Sequence, residues 1–151
     1  MGVFFFSKRG VELFELLPVV STMTTDRYVS CLRKLMRKLR CGKKKQQTVL
    51  LHVDNALHRT NQEHQEKCSQ LWVSQKFHHP PYSPDISLCD FYLFGRLKHY
   101  LQGKHFASEQ TLRKKIRCFI HEIPKQEFAK VFENLTERLE LCIASEGEYV
   151  K

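Results

Sequence analysis

The stretch LLHVDNA, residues 50–56, decides the fold, because a strongly apolar run stops abruptly at an aspartate. With Thr48 and Val49 before it, the run is typical of a strand that is buried on both faces of a sheet. Asp54 and Asn55 end this strand. Open α/β sheets bind ligands at the carboxyl ends of their strands, so Asp54 stands where a functional carboxylate is expected. Asp-Asn is also a common turn after a strand, and the residues of this stretch alone leave both interpretations open.

A second stretch, HPPYSPDISLCD at residues 79–90, places another aspartate in a helix. Its prolines keep the chain extended, and Ser83, Pro84 and Asp85 then predict a helix start. This helix is predicted to run over 83–102 and to stop at Gly103. Its apolar face combines Asp90 with three other side chains, Phe94, Leu97 and Leu101.

A carboxylate on an apolar helix face is costly unless a cation meets it, although the helix dipole alone also favours an acid near a helix start. Two carboxylates from different elements, Asp54 and Asp90, would offer hard oxygen ligands. Such ligands in a basic protein point to Mg²⁺ or Mn²⁺ and to a phosphate substrate.

The rest of the chain predicts an α/β domain. Two aromatic runs flanking Ser7 to Gly10 predict a hairpin, in which Gly10 can take a positive φ. Apolar periodicity predicts further helices over 25–40, 58–71, 109–122 and 125–142, and a short strand over 72–77. The 151 residues fit one domain with a real core.

The charge indicates the partner. A formal charge of +9 and a pI near 9.4 favour polyanions, with nucleic acid first and an anionic membrane second. No segment is long and apolar enough to span a membrane. Six scattered cysteines are typical of a reducing compartment, and we expect a nuclear protein, or a cytoplasmic one before import. His52, His58, His64 and Cys68 do not share a helical face, so we prefer no zinc site.

Basic residues crowd the helix over 25–40 and the segment after it. No acid occurs between Arg27 and Lys45. Such a face is most often merely solvated, but a DNA-facing surface or a nuclear import signal remains open. The candidate DNA-binding residues are Arg33, Lys34, Arg37, Lys38, Lys43, Lys44, Lys45, Lys98 and Lys104.

Three short sequence motifs carry a family resemblance. They are HVDNA at 52–56, HPPYSPD at 79–85 and CDFYLF at 89–94. Together they resemble the catalytic domain of mariner-type transposases, and the similarity continues through 97–106 and the tail over 142–149. The long proline-rich motif makes the resemblance specific, and the resemblance spans nearly the whole chain.

The resemblance implies an RNase H-like mixed sheet flanked by helices, with a helical C-terminal part. It also implies a DDE/D mechanism in which three aspartates hold two divalent ions, Mg²⁺ or Mn²⁺, about 3.5–4 Å apart. Asp54 and Asp90 match the second and third aspartates, while Asp85 matches a helix-start residue. In the family the first aspartate lies far upstream on the central strand, and neither that strand nor a helix-turn-helix domain is recognisable in residues 1–151.

The expected function follows from this match. Residues 1–151 resemble a truncated catalytic domain for metal-dependent DNA strand cleavage and transfer, expected to be impaired because the first aspartate is absent. The alternative is a catalytically inactive, basic DNA-binding transposon remnant or domesticated fragment. DNA is the expected partner, and a homodimer is compatible with the family. Without the central strand, the hairpin and the strand before Asp54 must pair directly or leave polar edges unsatisfied.

Overall fold

A computed structural model describes residues 2–18, 21–40, 50–53 and 75–149 of the chain. The chain divides into two compact units. The first consists of Met1–Phe6 and Glu12–Pro81, and the second of Ser7–Val11 and Tyr82–Lys151. The predicted helix over 58–71 lies outside the described residues.

The predicted hairpin is confirmed. Strands β1 (Gly2–Ser7) and β2 (Gly10–Leu16) form a two-stranded sheet. Gly10 has a φ of 121°, a conformation that L side chains rarely adopt, and this positive φ is what the sequence predicted for the turn. Across the two strands, the Phe4 and Phe14 rings stack with their centroids 4.7 Å apart.

Helix α1 (Thr25–Arg40) supplies the largest part of the core of the first unit. It begins at a capping residue, because the backbone N–H of Arg27 donates to Thr24 Oγ1 at 3.4 Å. The predicted apolar stripe faces inward. Its buried members are Tyr28, Leu32, Leu35 and Met36. Tyr28, Leu32 and Leu35 share one core cluster with Val3 and Phe5 of β1 and Leu51.

Two short parallel strands form the other sheet of this unit. Strand β3 (Leu50–Val53) pairs with β4 (Gln75–His78), with Leu50 opposite Gln75 and Val53 opposite His78. The expectation that β3 is buried on both faces is wrong at Leu50, which is 59% exposed, while Leu51 is buried. Successive side chains alternate between the faces of a strand, and no described element covers the Leu50 face.

The hairpin and β3 do not pair directly within the described residues. The strands there form two separate two-stranded sheets, β1–β2 and β3–β4. Both sheets nevertheless contribute to the same core cluster, through Val3 and Phe5 of one and Leu51 of the other.

The single helix predicted over 83–102 is wrong, because three successive segments take its place. They are a 3₁₀ turn (Pro84–Ile86), a π-helical segment (Cys89–Phe94) and helix α2 (Gly95–Leu101). The first break occurs at Ser87, whose φ of −87° and ψ of 108° are extended. Ser83 makes no side-chain capping hydrogen bond. The chain leaves helical geometry near Gly103, as predicted, with a φ of 72° there.

Two helices complete the second unit. Helix α3 (Glu109–Glu122) begins at Ser108, whose hydroxyl accepts the backbone N–H of Thr111 at 3.2 Å. Helix α4 (Lys125–Ala144) follows Pro124 and runs two residues beyond the predicted end. The apolar faces of both helices are confirmed in part, with Ile116 and Phe119 buried on α3, and Phe128 and Val131 buried near the start of α4. None of the helices in the described ranges has the length and apolar composition needed to cross a membrane.

Candidate functional site

The carboxyl ends of β3 and β4 bring together the first residues of two of the three motifs, those at 52–56 and 79–85. His52 Nε2 lies 3.1 Å from His79 Nδ1, and the two imidazole rings are 5.2 Å apart. His79 is 8% exposed. Because β3 and β4 are parallel and Val53 pairs with His78, both motifs begin at the same edge of the sheet. Asp54 follows Val53 directly in sequence but lies outside the described residues.

Asp90 lies in the π-helical segment, and its side chain is exposed. The expectation that Asp90 and Phe94 share a core-facing stripe is wrong. Phe94 is 39% exposed, and Leu88 and Leu93 are the buried residues of this region. The reason is the i→i+5 hydrogen bonding of a π-helix, which shifts the phase of the side chains relative to an α-helix. Asp90 therefore avoids the desolvation cost that the sequence had suggested.

The exposed carboxylate of Asp90 suits a divalent cation, because hard oxygen donors and open coordination space are what Mg²⁺ and Mn²⁺ require. Over the described ranges, no three His, Cys, Asp or Glu side chains form a cluster that could hold a metal ion. Asp54 is among the residues outside those ranges. His58, His64 and Cys68 lie outside them as well.

Asp85 occupies a different environment from Asp90. It is 5% exposed, inside the 3₁₀ turn. Arg138 of α4 donates from Nη1 to the Asp85 carbonyl oxygen at 3.0 Å, and its guanidinium lies 4.7 Å from the centroid of the Phe91 ring. Asp85 thus takes part in the packing of the second unit. Sequence reasoning missed Arg138, although a base three residues after Leu135, beside an apolar stripe, was a signal for such a contact.

A polar cluster joins the π-helical segment, α2 and α4. Arg96 forms an ion pair with Glu127, and Arg96 Nη1 also donates to the Tyr92 hydroxyl at 2.9 Å. That hydroxyl donates to Glu127 Oε2 at 3.1 Å. The hydrogen bond from Arg96 lowers the pKa of Glu127 and raises that of Arg96, while burial raises the pKa of Tyr92. The i, i+4 spacing of Tyr92 and Arg96 was a signal for their contact, but no sequence pattern indicated Glu127 as their partner.

The candidate DNA-binding residues of α1 divide into two kinds. Lys34 pairs with Glu15 of the hairpin at 2.9 Å, and Lys38 donates to the backbone carbonyl of Glu12. These two lysines therefore hold the hairpin against α1. Arg33 and Arg37 are exposed and contact no other described residue through a hydrogen bond or ion pair.

The remaining candidates also differ from one another. Lys98 is exposed on α2. Lys104 is exposed too, and its Nζ lies 4.0 Å from the centroid of the Tyr100 ring. The basic run Lys43, Lys44 and Lys45 falls outside the described residues.

A cleft of about 400 Å³ lies within the second unit, between α2 and α3. Arg96, His99 and Tyr100 line one side, and Phe119, Glu122 and Ile123 line the other. The Tyr100 hydroxyl donates to Glu122 at 3.2 Å. Asp90 does not line this cleft, so the cleft is separate from the carboxylate that the sequence singled out.

Comparison with solved structures defines the class. The chain superposes on the Mos1 transposase catalytic domain solved with raltegravir and Mg with a TM-score of 0.92 and 28% identity. The match covers 99% of this chain and 76% of that one, and the same domain was also solved with Mn. A Mos1 paired-end complex with the left transposon end matches with a TM-score of 0.91 and 26% identity, over 99% of this chain and 44% of that one. The fold is RNase H-like.

Sequence comparison agrees with the fold. The mariner Mos1 transposase of Drosophila mauritiana is 30% identical over 147 residues, which are 94% of this chain and 42% of that protein. A family profile described as transposase, partial DDE domain, matches residues 1–49. The chain is thus similar in sequence and fold to the catalytic domain of a mariner-type transposase, and it spans less than half the length of this curated relative.

Proposed function

We propose that this chain takes part in DNA transposition, through metal-dependent cleavage and transfer of DNA strands. The observation that carries the proposal is the contact between His52 and His79 at the shared edge of β3 and β4. The two motifs that contain these histidines are the most specific points of resemblance to mariner-type transposases. Their meeting at the carboxyl ends of parallel strands supports a site there, since such edges bind ligands in α/β sheets.

Asp54 and Asp90 are the proposed metal ligands. Asp54 follows β3 directly, and Asp90 presents an exposed carboxylate. A bound pair of Mg²⁺ or Mn²⁺ ions would supply an activated water or 3′-hydroxyl and charge neutralisation at the leaving oxygen. The resemblance calls for a third aspartate, and no carboxylate of residues 1–151 matches it. We therefore propose that these residues by themselves have impaired activity.

A second candidate function is DNA binding without cleavage. It is favoured by Arg33 and Arg37, exposed bases that no described residue neutralises. Counterion release from phosphates needs only such a basic surface and no metal. In either case we propose DNA as the partner, in keeping with the Mos1 paired-end complex with the left transposon end. We also propose a homodimer as the assembly and the nucleus as the location.

Thermal unfolding of residues 1–151 with and without Mn²⁺ tests the metal site. The wild type should gain stability with Mn²⁺, by about 2.7 kcal/mol at a concentration 100 times Kd. An Asp54→Ala/Asp90→Ala variant should gain none. The matched control is Glu146→Ala/Glu148→Ala, which removes two exposed carboxylates and should keep the full shift. The proposed metal site is rejected if Mn²⁺ stabilises all three proteins equally or none of them.

A further inference from the structure

One exposed side of helix α3 carries basic residues and no acid, while Glu109 and Glu122 are exposed at the two ends of the helix. Gln110, Lys114, Arg117 and His121 are exposed and follow one another at i, i+4, i+7 and i+11, so they line one side of the helix. We call these four residues the α3 stripe. The opposite side of α3 is packed into the second unit through Ile116 and Phe119.

The two strongest bases of the α3 stripe serve no internal contact. Lys114 and Arg117 make no hydrogen bond, ion pair or ring contact with any other described residue. Their neighbour Arg113 behaves differently, because it pairs with Glu109 one turn earlier at 3.1 Å. Fold stability therefore does not explain why bases, rather than neutral polar residues, occupy the α3 stripe.

The adjacent helix has the opposite character. The exposed face of α4 includes Glu133, Glu137 and Glu140. The two helices thus differ in charge, because the α3 stripe has no acid, whereas this face of α4 carries three glutamates and one base, Lys130. A polyanion that approached the second unit would be attracted to α3 and repelled from the acidic face of α4.

We propose that the α3 stripe binds the phosphate backbone of duplex DNA. From Lys114 to His121 the helix rises about 10 Å. Phosphates of one strand recur about every 3.4 Å along the duplex axis, so the stripe can follow a short run of them. The choice of DNA as the polyanion rests on the proposed function. A membrane surface is disfavoured because an interfacial helix inserts its apolar face, and that face of α3 is buried.

The test is the salt dependence of duplex DNA binding by the full chain, measured in EDTA so that no metal contributes. A Lys114→Gln/Arg117→Gln variant should lower the slope of log Kobs against log[NaCl] by about 1.8, since each phosphate contact contributes about 0.9. The matched control, Lys125→Gln/Lys130→Gln, removes the same charge from exposed positions on α4 and should leave the slope unchanged. The swap Lys114→Arg/Arg117→Lys should also keep it, because phosphate contacts need charge alone.

Several results would overturn the inference. They are an equal loss of slope in the α3 and α4 variants, no loss in the α3 variant, no DNA binding by the wild type at low salt, or an α3 effect seen only with phosphatidylserine vesicles. The failures of the two proposals are separable. An unchanged slope together with a selective Mn²⁺ shift rejects the α3 stripe alone, and a lowered slope without any Mn²⁺ shift rejects the metal site alone.

Discussion

His52 and His79, 27 residues apart in sequence, are in hydrogen-bonding distance, with Nε2 of one 3.1 Å from Nδ1 of the other. The contact links His52, two residues before Asp54, to the residue that directly follows β4. It therefore connects the carboxyl ends of the two strands through side chains, at the edge where the backbone pairing of β3 and β4 ends.

Removing either histidine should lower stability, and the two losses should not add. We expect a coupling free energy of about 0.5–1.5 kcal/mol between His52→Ala and His79→Ala, because each single change already abolishes the shared hydrogen bond. Urea unfolding of the wild type, both single variants and the double variant measures this coupling. Strictly additive losses would show that the two rings do not interact in solution.

Arg138→Ala should destabilise the chain by about 1–3 kcal/mol. The substitution removes the donor to the carbonyl of buried Asp85 and the cation above the Phe91 ring. Arg138→Lys should recover only part of the loss, because an ammonium group cannot stack its plane on an aromatic ring. Chemical denaturation provides the measurement. Exposed Glu137→Ala on the same helix is the control, expected within about 0.5 kcal/mol of wild type.

The ion pair between Arg96 and Glu127 should make stability depend on pH in the acid range. The pKa of Glu127 is lowered in the folded chain from its ordinary value of 4.5, chiefly by the hydrogen bond from Arg96. The carboxylate therefore stabilises the fold above pH 4.5, and this contribution is lost as the pH falls through the lowered pKa. Both partners are partly exposed, so screening by solvent limits the effect to about 0–1 kcal/mol.

Comparison of wild type with Glu127→Gln checks this expectation. The difference in unfolding free energy should be present at pH 7 and should decrease as the pH falls below 4.5 and through the lowered pKa of Glu127. A difference that persists unchanged at pH 3 would mean that the Tyr92 hydroxyl and the packing of the side chain, rather than the charge of Glu127, account for it.

Two glycines near α2 should respond in opposite directions to alanine. Gly103 has a φ of 72°, and no atom lies near its missing side chain, so Gly103→Ala should cost about 1 kcal/mol through backbone strain alone. Gly95 is helical, with φ −59° and ψ −49°, and a Cβ there would approach only the Asp90 carbonyl, at 4.0 Å. Gly95→Ala should therefore gain about 0.5–1 kcal/mol. Melting temperatures of the two variants that move in the same direction would contradict this prediction.

The sequence predicted the elements whose apolar period is long and regular. Helix α1, with buried Tyr28, Leu32 and Leu35, and helices α3 and α4 lie where periodicity placed them. The hairpin was equally predictable, because Gly10 can adopt the positive φ that the turn requires. In these cases local geometry and burial favour the same structure, so a one-dimensional pattern is sufficient.

Residues 83–102 could not be predicted in the same way. Their apolar spacing fits one continuous helix, but Ser87 is extended and Cys89–Phe94 is π-helical. The contact between Asp85 and Arg138 spans 53 residues, so the local pattern around Arg138 could suggest a buried contact but not its partner. The roles of Lys34 and Lys38 were hidden for a similar reason, since their partners lie on the preceding hairpin. Tertiary contacts override local preference at these positions.

The direction of the Asp90 side chain depends on the number of residues in the π-helical segment. A π turn accommodates one residue more than an α turn, so deleting a single residue from Cys89–Phe94 would restore ordinary helical phase. Each residue of an α-helix advances by about 100°, and the Asp90 carboxylate would swing by a comparable angle relative to buried Leu93. A one-codon deletion that spared every aspartate could therefore misdirect this carboxylate as thoroughly as a substitution would remove it.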